Sequence, residues 1–449
     1  MSSLKHHALL AGRSGSGKSK MMETLFYDLQ LKSQDKRDYA LVLLDPHGDL
    51  ARSILYFSHN QDKSRVVYVS SSVNREIEKY KKTDKRYTAV INPFDNDGTE
   101  ETVNILSQEL TDALIELLDN SYNFTPQMQA ILRPCIATVL RSKNPCINEL
   151  KRFMLDGQNG DLVELGRKSP NSQHRDFFLN DFHIEEYRLT KKSIRTKLSY
   201  FLGDQILSDM LNGKSTIDIE QCLNEGKVII FNLPKGSGKF TSSVFGRLMI
   251  AYIHSIILRR DALPREQRKQ LFFFIDEFQN YITSSLASNL AEARKYGLSL
   301  ILATQSLKQI ENLAIRKTVM VNTSFKAVSQ TDYEDRSTFS KELGVRGKDL
   351  EELKPLQFYV KDDTGQNPFK IEIPILANKY FLTEEERKRL LQYLVYRSGQ
   401  YVPVPEEQPH TKNIIKKDKP ENKTEDVENK KKKPNPKSNP FDEDLKPAF

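Results

Sequence analysis

"HALLAGRSGSGKSK", residues 7–20, is the stretch that decides the fold. The apolar run at 7–12 predicts a buried strand, and KMMETLFYDLQLK at 20–32 predicts a helix. Between them, GRSGSGKS matches the pattern G-x-x-x-x-G-K-[ST] in full, in the strand–loop–helix context that this motif requires. The sequence therefore predicts a phosphate-binding loop (P-loop) and, with it, an α/β nucleotide-binding core.

Each part of this loop has its own role in binding a nucleotide. Glycines let backbone N–H groups turn toward phosphate oxygens, and the N-terminus of the following helix adds its dipole. We expect Lys18 to reach the β- and γ-phosphates and Ser19 to ligate Mg²⁺, so ATP and Mg²⁺ are the predicted cofactors. The predicted nucleotide-binding residues are Gly12, Arg13, Ser14, Gly15, Ser16, Gly17, Lys18 and Ser19.

A second motif, LFFFIDEF at 271–278, places an acidic pair after a buried strand. A P-loop site needs such an acid to hold the magnesium shell. We expect Asp276 to take that role and Glu277 to polarise the attacking water as general base. The alternative for the pair alone is an ordinary strand end, and the complete P-loop argues against it.

The letters GSGK recur in NLPKGSGKF, residues 232–240. Leu233 stands where the pattern requires its first glycine, and Phe240 stands where it requires a hydroxyl. We therefore predict a single nucleotide site and interpret the second stretch as a tight turn that leaves a strand. Lys235 and Lys239 stay candidates for facing a phosphate, of ATP or of DNA.

Further apolar runs place these motifs in a larger sheet. They predict strands at 39–45, 65–70, 87–94, 227–233, 271–278, 298–305 and 319–330, with helical spacing between roughly 100 and 222. One helix is expected to begin with Thr125 as N-cap and Pro126 at its first position. The fold class we predict is α/β: a P-loop NTPase (RecA-like) core with a mainly parallel sheet, an all-α insertion and a disordered C-terminal tail.

The predicted domains follow from this pattern. Residues 1–97 and 223–403 form the two parts of the nucleotide-binding core, and residues 98–222 form the all-α insertion. Residues 404–449 are rich in Lys, Glu, Asn and Pro, and they cannot bury enough apolar surface to offset the entropy of ordering. We expect this tail to be disordered and dispensable for ATP hydrolysis.

Composition indicates the cellular compartment and the kind of partner. The 449 residues carry a net charge of +8, which permits a polyanionic partner. Cys135, Cys146 and Cys222 form no metal-binding or disulfide pattern, which fits a reducing cytosol. No signal peptide and no window of about 18 apolar residues is visible. We predict a cytoplasmic protein with no membrane span of its own, which only a partner would recruit to the membrane.

The order of the motifs resembles one superfamily. After the P-loop come LLDPHGDL (43–50), FFFIDEFQNY (272–281) and EARKYGLSLILATQS (292–306). Together they resemble the HerA/FtsK superfamily of hexameric DNA-pumping ATPases, and the last stretch is similar to the type IV coupling proteins of conjugation (TraD/TraG type). The helical insertion also resembles the all-α domain of coupling proteins.

The resemblance implies roles for further residues. It names the P-loop as Walker A and the acidic pair as Walker B. It implies that Gln305 senses the γ-phosphate, and that Arg294 is an arginine finger inserted in trans, which requires a ring such as a homohexamer. The alternatives are a strand-end amide and a solvated helix-end cation. Asp45, His47 and Asp49 are expected near the site without an assigned role, and not as a metal site.

In this superfamily the loop after the ATQ strand tends to approach the central channel. Here the loop reads SLKQIENLAIRKTVMV, so Lys308, Arg316 and Lys317 are the candidates for contact with DNA. Such contacts to the backbone are independent of base sequence and weaken with salt.

Three functions stay open. The first is a ring-shaped, ATP-hydrolysing DNA translocase of the coupling type, acting in conjugative or mobile-element transfer. The second is HerA-like DNA processing or genome packaging, and the third is a nucleotide-dependent assembly scaffold that does not move DNA. The predicted classes of protein partner are a relaxase, a nuclease or a membrane secretion channel. Coupling proteins usually carry N-terminal membrane helices and HerA a β-barrel, and neither is evident, so anchoring and partner choice stay open.

Overall fold

Short apolar runs form the strands of the core, because peptide groups that leave water must pair with one another. The computed structural model describes residues 4, 6–33, 37–118, 126–362, 365, 367–375 and 382–405. In chain order the strands are β1 (Ala8–Ala11), β2 (Tyr39–Asp45), β3 (Val66–Ser70), β4 (Tyr87–Thr88), β5 (Val228–Asn232), β6 (Gln270–Ile275), β7 (Leu298–Thr304), β8 (Phe325–Val328), β9 (Gln357–Lys361), β10 (Phe369–Glu372) and β11 (Val402–Pro403).

The stretches between strands form helices wherever apolar residues recur at helical spacing. In chain order the helices are α1 (Lys18–Lys32), α2 (Asp49–Asp62), α3 (Val73–Glu76), α4 (Glu100–Leu118), α5 (Pro126–Leu140), α6 (Ile147–Phe153), α7 (Gly160–Arg167), α8 (Ser172–Asp176), α9 (Glu185–Leu202), α10 (Gln205–Leu211), α11 (Ile219–Asn224), α12 (Lys239–Arg259), α13 (Ser284–Glu292), α14 (Leu313–Asn322), α15 (Tyr333–Leu343), α16 (Gly347–Glu351) and α17 (Glu384–Tyr396).

Nine strands make one sheet, in the order β10-β9-β8-β1-β7-β6-β2-β5-β3. The strands from β8 to β3 pair in parallel, and β9 pairs antiparallel with both β8 and β10. Leu9 and Ala11 join one apolar cluster while Ala8 and Leu10 join another, so both faces of β1 are covered. The predicted α/β fold with a mainly parallel sheet is therefore confirmed.

Parallel pairing brings the carboxyl ends of the central strands to one edge of the sheet, which we call the carboxyl edge. The P-loop follows β1 there, Asp276 follows β6, and Gln305 follows β7. Strand β7 lies between β1 and β6, so these three chain segments end side by side. This is the edge at which ligands bind in open α/β sheets.

Two strand predictions are wrong in their extent. The predicted strand 87–94 is only β4, which pairs with β11, because the next N–H groups have other partners: Ile91 donates to the Met210 carbonyl. The predicted strand 319–330 is only β8, because α14 continues to Asn322 after the Asn312 side chain caps its N-terminus. Strands β9 and β10 were not predicted.

Between β4 and β5 the described residues form helices α4 to α11, and α5 begins at Pro126 as predicted. Helix α4 packs against α12 and α5. Met1–Val404 forms one compact unit, so the boundaries 98 and 222 of a separate insertion stay a prediction. Thr125, the predicted N-cap, and the predicted disorder of the tail after residue 405 lie outside the described residues.

Helix α12 corrects one prediction. The stretch Phe240–Ala262 is long and apolar enough to cross a membrane by length and composition, contrary to the prediction that no such window exists. Of this window, 78% is buried inside the protein, and Phe245, Met249 and Ile253 lie in the core. This burial is typical of a core helix.

Candidate functional site

The P-loop leaves the end of β1 and turns into α1. The backbone N–H of Arg13 donates to the carbonyl of Gln330 at 2.6 Å, which ties the loop to the segment after β8. Gly15 and Gly17 have φ values of 77° and 101°, in the left-handed region that glycine enters without steric cost. Gly17 is the N-cap of α1, so the loop ends at the positive end of a helix dipole.

The segment before β9 packs against the back of the P-loop. The N–H of Leu356 donates to the carbonyl of Ser16 at 2.9 Å. A Cβ on Gly17 would lie 2.8 Å from Leu356 Cδ2 and 3.1 Å from Leu356 Cα. Glycine is therefore required at position 17 both by φ and by the close approach of another backbone.

Lys18 begins α1 and is buried at the carboxyl edge. Its Nζ donates to the carbonyl of Gly12 at 2.7 Å and to that of Arg13 at 3.4 Å. Burial lowers the pKa of the ammonium group, whereas the carboxylates of Glu277 and Asp276 act to raise it. The two predicted halves of the site are thus electrostatically coupled, while the next residue, Ser19, is exposed.

Asp276 directly follows β6 and is buried, with 3% of its surface exposed. Burial and the nearby carboxylates of Asp45 and Glu277 raise the pKa of Asp276 to about 7, and Lys18 acts in the opposite direction. Three carboxylates therefore share a buried space with one ammonium group.

Glu277 is held on both carboxylate oxygens by glutamine side chains. Gln305 Nε2 donates to Oε1 at 2.7 Å, and Gln279 Nε2 donates to Oε2. The same Gln279 nitrogen contacts Gln309 Oε1 at 2.7 Å, in the turn after β7. Glu277 itself adopts φ 48° and ψ 49°, a left-handed backbone conformation that is unusual for a residue other than glycine. Gln279 and Gln309 were not predicted, although Gln279 follows the acidic pair by two residues.

Asp45 has a structural role that the sequence did not reveal. Its carboxylate accepts backbone hydrogen bonds from His47, Gly48 and Ala51 at 2.8–2.9 Å, and so closes the N-terminus of α2. His47 and Asp49 are exposed. Within the described ranges, His, Cys, Asp and Glu side chains form no group of three that could hold a metal ion.

Arg294 lies at the opposite edge of the sheet from the P-loop. It is in the turn Ala293–Tyr296, which ends at Gly297 with φ 82° as predicted and precedes β7. The seven residues of β7 separate this turn from the carboxyl edge by roughly 20 Å. Arg294 lines an open cleft of about 560 Å³ together with His6 and Lys295. The structure therefore does not bring Arg294 to the P-loop of its own chain.

The three DNA-contact candidates all follow β7 in the chain, Lys308 in the turn Leu307–Gln309 and the other two in α14, and they differ in their contacts. Lys308 is exposed and pairs with Glu334 at 2.6 Å, which raises the pKa of its ammonium group. Arg316 Nη2 donates to the carbonyl of Ile310 at 2.7 Å. Lys317 is exposed on α14.

Residues 232–240 form a turn between β5 and α12, as predicted. The N–H of Leu233 donates to the carbonyl of Asp45 at 2.9 Å, and that of Lys235 to the carbonyl of Pro46 at 3.0 Å. The turn therefore packs on the end of β2, next to the Asp45 cap. The side chain of Lys239 lies outside the described part of the structure.

The described residues fit a nucleotide with Mg²⁺. Ser16 Oγ is buried without a hydrogen-bond partner, in a loop whose glycines allow N–H groups to face a phosphate. Asp276 offers carboxylate oxygens, the ligands that Mg²⁺ prefers. A bound cation would also relieve the repulsion among Asp45, Asp276 and Glu277, which raises the pKa of Asp276.

A P-loop after one strand of a parallel sheet, and a buried acid after another, define the class of P-loop nucleotide-binding proteins. The family described as type IV secretion-system coupling protein DNA-binding domain matches residues 1–354. The chain therefore belongs to this coupling-protein family, and the predicted resemblance to coupling proteins is confirmed. Its place in the wider HerA/FtsK superfamily stays a prediction. No curated protein matches the sequence.

Solved structures share the fold. The bacterial conjugative coupling protein TrwBdeltaN70, in its unbound monoclinic form, superposes with a TM-score of 0.59 at 17% identity, over 83% of this chain and 86% of that one. Plasmid coupling protein TrwB in complex with ADP and Mg²⁺ gives a TM-score of 0.58 at 18% identity, over 86% and 89%. VirB4 of Thermoanaerobacter pseudethanolicus gives 0.51 at 14% identity, over 85% and 90%.

Proposed function

We propose that this protein is an ATP-hydrolysing DNA translocase of the coupling type, which acts in conjugative or mobile-element DNA transfer. The observation that carries the proposal is the hydrogen bond from Gln305 to Glu277 beside buried Lys18. It supports the proposal because it joins the residue proposed as general base to the residue proposed as γ-phosphate sensor, at the ends of neighbouring strands. The family, named for a DNA-binding domain, supports DNA as the substrate that is moved.

Hydrolysis would use the chain's own residues in separate roles. Glu277 would accept a proton from the attacking water, with Gln305 and Gln279 fixing the direction of its carboxylate. Lys18 Nζ would exchange the carbonyl of Gly12 for phosphate oxygens. Asp276, with Ser19, would hold Mg²⁺, which neutralises phosphate charge when it is bound.

The structures of relatives support these cofactors. TrwB has been solved with ADP and Mg²⁺ and with a non-hydrolysable ATP analogue. We infer that this chain takes ATP and Mg²⁺ at the same place, the P-loop at residues 12–19. The buried hydroxyl of Ser16 and the high pKa of Asp276 support that assignment.

A ring of subunits would supply each nucleotide site with an arginine from the neighbouring subunit. Arg294 is roughly 20 Å from its own P-loop, so it could act as an arginine finger only on the site of a neighbouring subunit. We propose a homohexamer, with Lys308, Arg316 and Lys317 facing non-specifically bound DNA. We further propose a cytoplasmic location, with recruitment to a relaxase or a membrane secretion channel by protein contacts.

Turnover by the purified full chain tests this proposal. ATP hydrolysis should rise when DNA is added at low salt, and Lys18→Ala or Glu277→Gln should lower turnover about 100-fold or more. Lys32→Ala, an exposed lysine at the end of α1, is the matched control and should leave turnover unchanged. ATP turnover that no DNA stimulates would instead support an assembly scaffold.

A further inference from the structure

We propose that a cleft beside β3, remote from the P-loop, binds a phosphodiester group of the DNA backbone. The cleft has a volume of about 250 Å³ and is lined by four cations, Arg52, Arg75, Lys79 and Arg387. This inference rests on the proposed function, because it assigns a second contact point to the DNA that the motor moves. It concerns different residues from the loop after β7.

The cations of this cleft are poorly neutralised. Among the described residues, no carboxylate forms an ion pair with Arg75, Lys79 or Arg387, and Arg52 pairs only with exposed Asp49. Arg387 Nε is buried without a hydrogen-bond partner. A buried guanidinium N–H normally donates to an acceptor. The unpaired N–H of Arg387 therefore indicates a ligand that brings oxygen atoms.

The carboxylate in the lining of the cleft does not neutralise these cations directly. Glu76 accepts hydrogen bonds from Tyr68 Oη at 2.8 Å, Ser70 Oγ at 2.5 Å, Ser72 Oγ at 2.6 Å and Asn232 Nδ2 at 3.0 Å. Its oxygens are thus engaged by neutral donors. Four cations less one carboxylate leave the lining with a net charge of +3.

Aromatic side chains complete the lining. Tyr56 and Tyr80 both border the cleft, and the guanidinium of Arg387 lies 5.3 Å from the centre of the Tyr56 ring. Cations beside aromatic rings are typical of surfaces that bind nucleic acid strands. The volume suits a single phosphodiester rather than a whole nucleotide, because ligand pockets for drug-sized molecules start at about 300 Å³.

The position of the cleft also favours DNA over the ATP phosphates. Arg52 is in the first turn of α2 and Arg75 is in α3, the helices that follow β2 and β3, so both lie toward the carboxyl edge. Strand β2 is three positions and β3 five positions from β1 in the sheet, about 14 Å and about 24 Å at a strand spacing of about 4.8 Å. The cleft therefore cannot share phosphates with the P-loop, although it faces the same side of the sheet.

Two turns that ATP binding does not explain, residues 232–240 and the DPHGD turn at 45–49, lie against arginines of the cleft. Arg75 Nη2 contacts the carbonyl of Gly236, in the turn at 232–240, at 3.4 Å. In the DPHGD turn, the Cα of Gly48 carries no side chain where a Cβ would lie 3.2 Å from Arg52 Nη1. Both turns therefore support arginines of the cleft rather than a second ATP site.

Removal of the two exposed cations tests the proposal. We would compare the full chain with the double variant Arg75→Ala, Lys79→Ala by fluorescence anisotropy of a labelled DNA oligonucleotide across a salt series. The matched control is Lys341→Ala, Lys348→Ala, which removes the same charge from exposed positions on α15 and α16. We expect about tenfold weaker DNA binding in the cleft variant alone, with a salt slope smaller by about 1 to 2. Basal ATP turnover should not change.

The other outcomes separate the two proposals. Equal losses in the cleft variant and the control, or no loss in either, would overturn the cleft assignment and leave the proposed function intact. Failure of the wild-type chain to bind DNA would overturn both. Calorimetry with inorganic phosphate covers a free anion: loss of phosphate binding with unchanged DNA affinity would also overturn the proposal. If the double variant does not fold, Lys79→Glu, at an exposed side chain, replaces it.

Discussion

Gln305 Nε2 donates a hydrogen bond of 2.7 Å to Glu277 Oε1, across the ends of two neighbouring parallel strands, β7 and β6. Gln279 holds the second carboxylate oxygen from the same chain segment as Glu277. The two glutamines therefore fix the orientation of the carboxylate that we propose as the base. Because both donors are neutral, they fix its direction without cancelling the charge that would attract a proton.

Loss of either glutamine should reduce catalysis more than nucleotide binding. We expect Gln305→Ala to lower kcat by about 100-fold and Gln279→Ala by about tenfold, because each leaves the Glu277 carboxylate free to rotate. The Michaelis constant for ATP should change little. Steady-state kinetics with a fluorescent-nucleotide binding assay separates the two effects. Gln309→Ala is the control, because the Gln309 side chain accepts a hydrogen bond from Gln279 rather than holding Glu277 itself. A rise in KM with normal kcat would contradict the positioning role.

Asp276 should make the nucleotide-free protein less stable as pH rises. Its pKa is about 7 in the folded chain against 3.8 in the reference state, so the folded state binds more protons between these values. Stability contributed by the protonated carboxyl is thus complete below pH about 4 and lost as pH rises through about 7.

The variant Asp276→Asn removes this titration. We expect it to be more stable than wild type by a few kcal/mol at pH 8, with little difference at pH 4, while ATP turnover is lost. Thermal unfolding at both pH values, without Mg²⁺ or nucleotide, measures the effect. A variant that is less stable than wild type at pH 8 would show that Asp276 is compensated when ionised.

Arg294 should act only between subunits. Neither Arg294→Ala nor Glu277→Gln protein should hydrolyse ATP alone, yet mixtures should regain part of the wild-type turnover, because some interfaces then combine an intact arginine with an intact glutamate. Turnover across a series of mixing ratios is the measurement. Lys295→Ala, the exposed neighbour in the same turn, serves as control. No recovery at any ratio would count against action in trans.

Two glycines of the P-loop should differ in their tolerance of a side chain. At Gly15 an added Cβ meets nothing within 4 Å, so Gly15→Ala should cost only the left-handed strain of about 1 to 2 kcal/mol. Gly17→Ala must also displace the backbone of Leu356, 3.1 Å away, and should cost more and weaken ATP binding at least tenfold. Denaturant unfolding and nucleotide titration compare the two variants; equal effects would refute the packing argument.

Much of the fold could be predicted because its strands are buried runs of apolar residues. Strand β2 occurs at the predicted residues, and β1, β5, β6 and β7 differ by one to three residues. Strand β9 was not predicted because it is not a continuous apolar run: polar and apolar residues alternate along it near the margin of the sheet, as Gln357 and Phe358 do. The apolar run 319–321 was misassigned because Val319 is buried while Val321 is exposed on the outer side of a helix.

Part of the candidate site could likewise be predicted from the sequence, and part could not. The P-loop and the acidic pair were predictable because they are local motifs, each adjoining a recognisable strand. The packing of Leu356 against Gly17 and the hydrogen bond from Gln305 to Glu277 are contacts between residues far apart in the chain, so no local pattern predicts them. The role of Asp45 had a local signal, an acid ahead of a Gly and a helix, but the three backbone N–H groups that its carboxylate accepts from become evident only in the folded turn.

The packing of Leu356 on Gly17 bears on how the protein can be shortened. The family match ends at residue 354, two residues before the contact that backs the nucleotide loop. A fragment cut at that boundary loses β9 and β10, so β8 becomes an unpaired edge of the sheet. The apolar side chains that pack against buried Phe358 and Val360 would then be exposed to water. Open apolar edges recruit other chains, so such a fragment would aggregate. The smallest useful version of this protein is therefore larger than the segment by which its family is recognised.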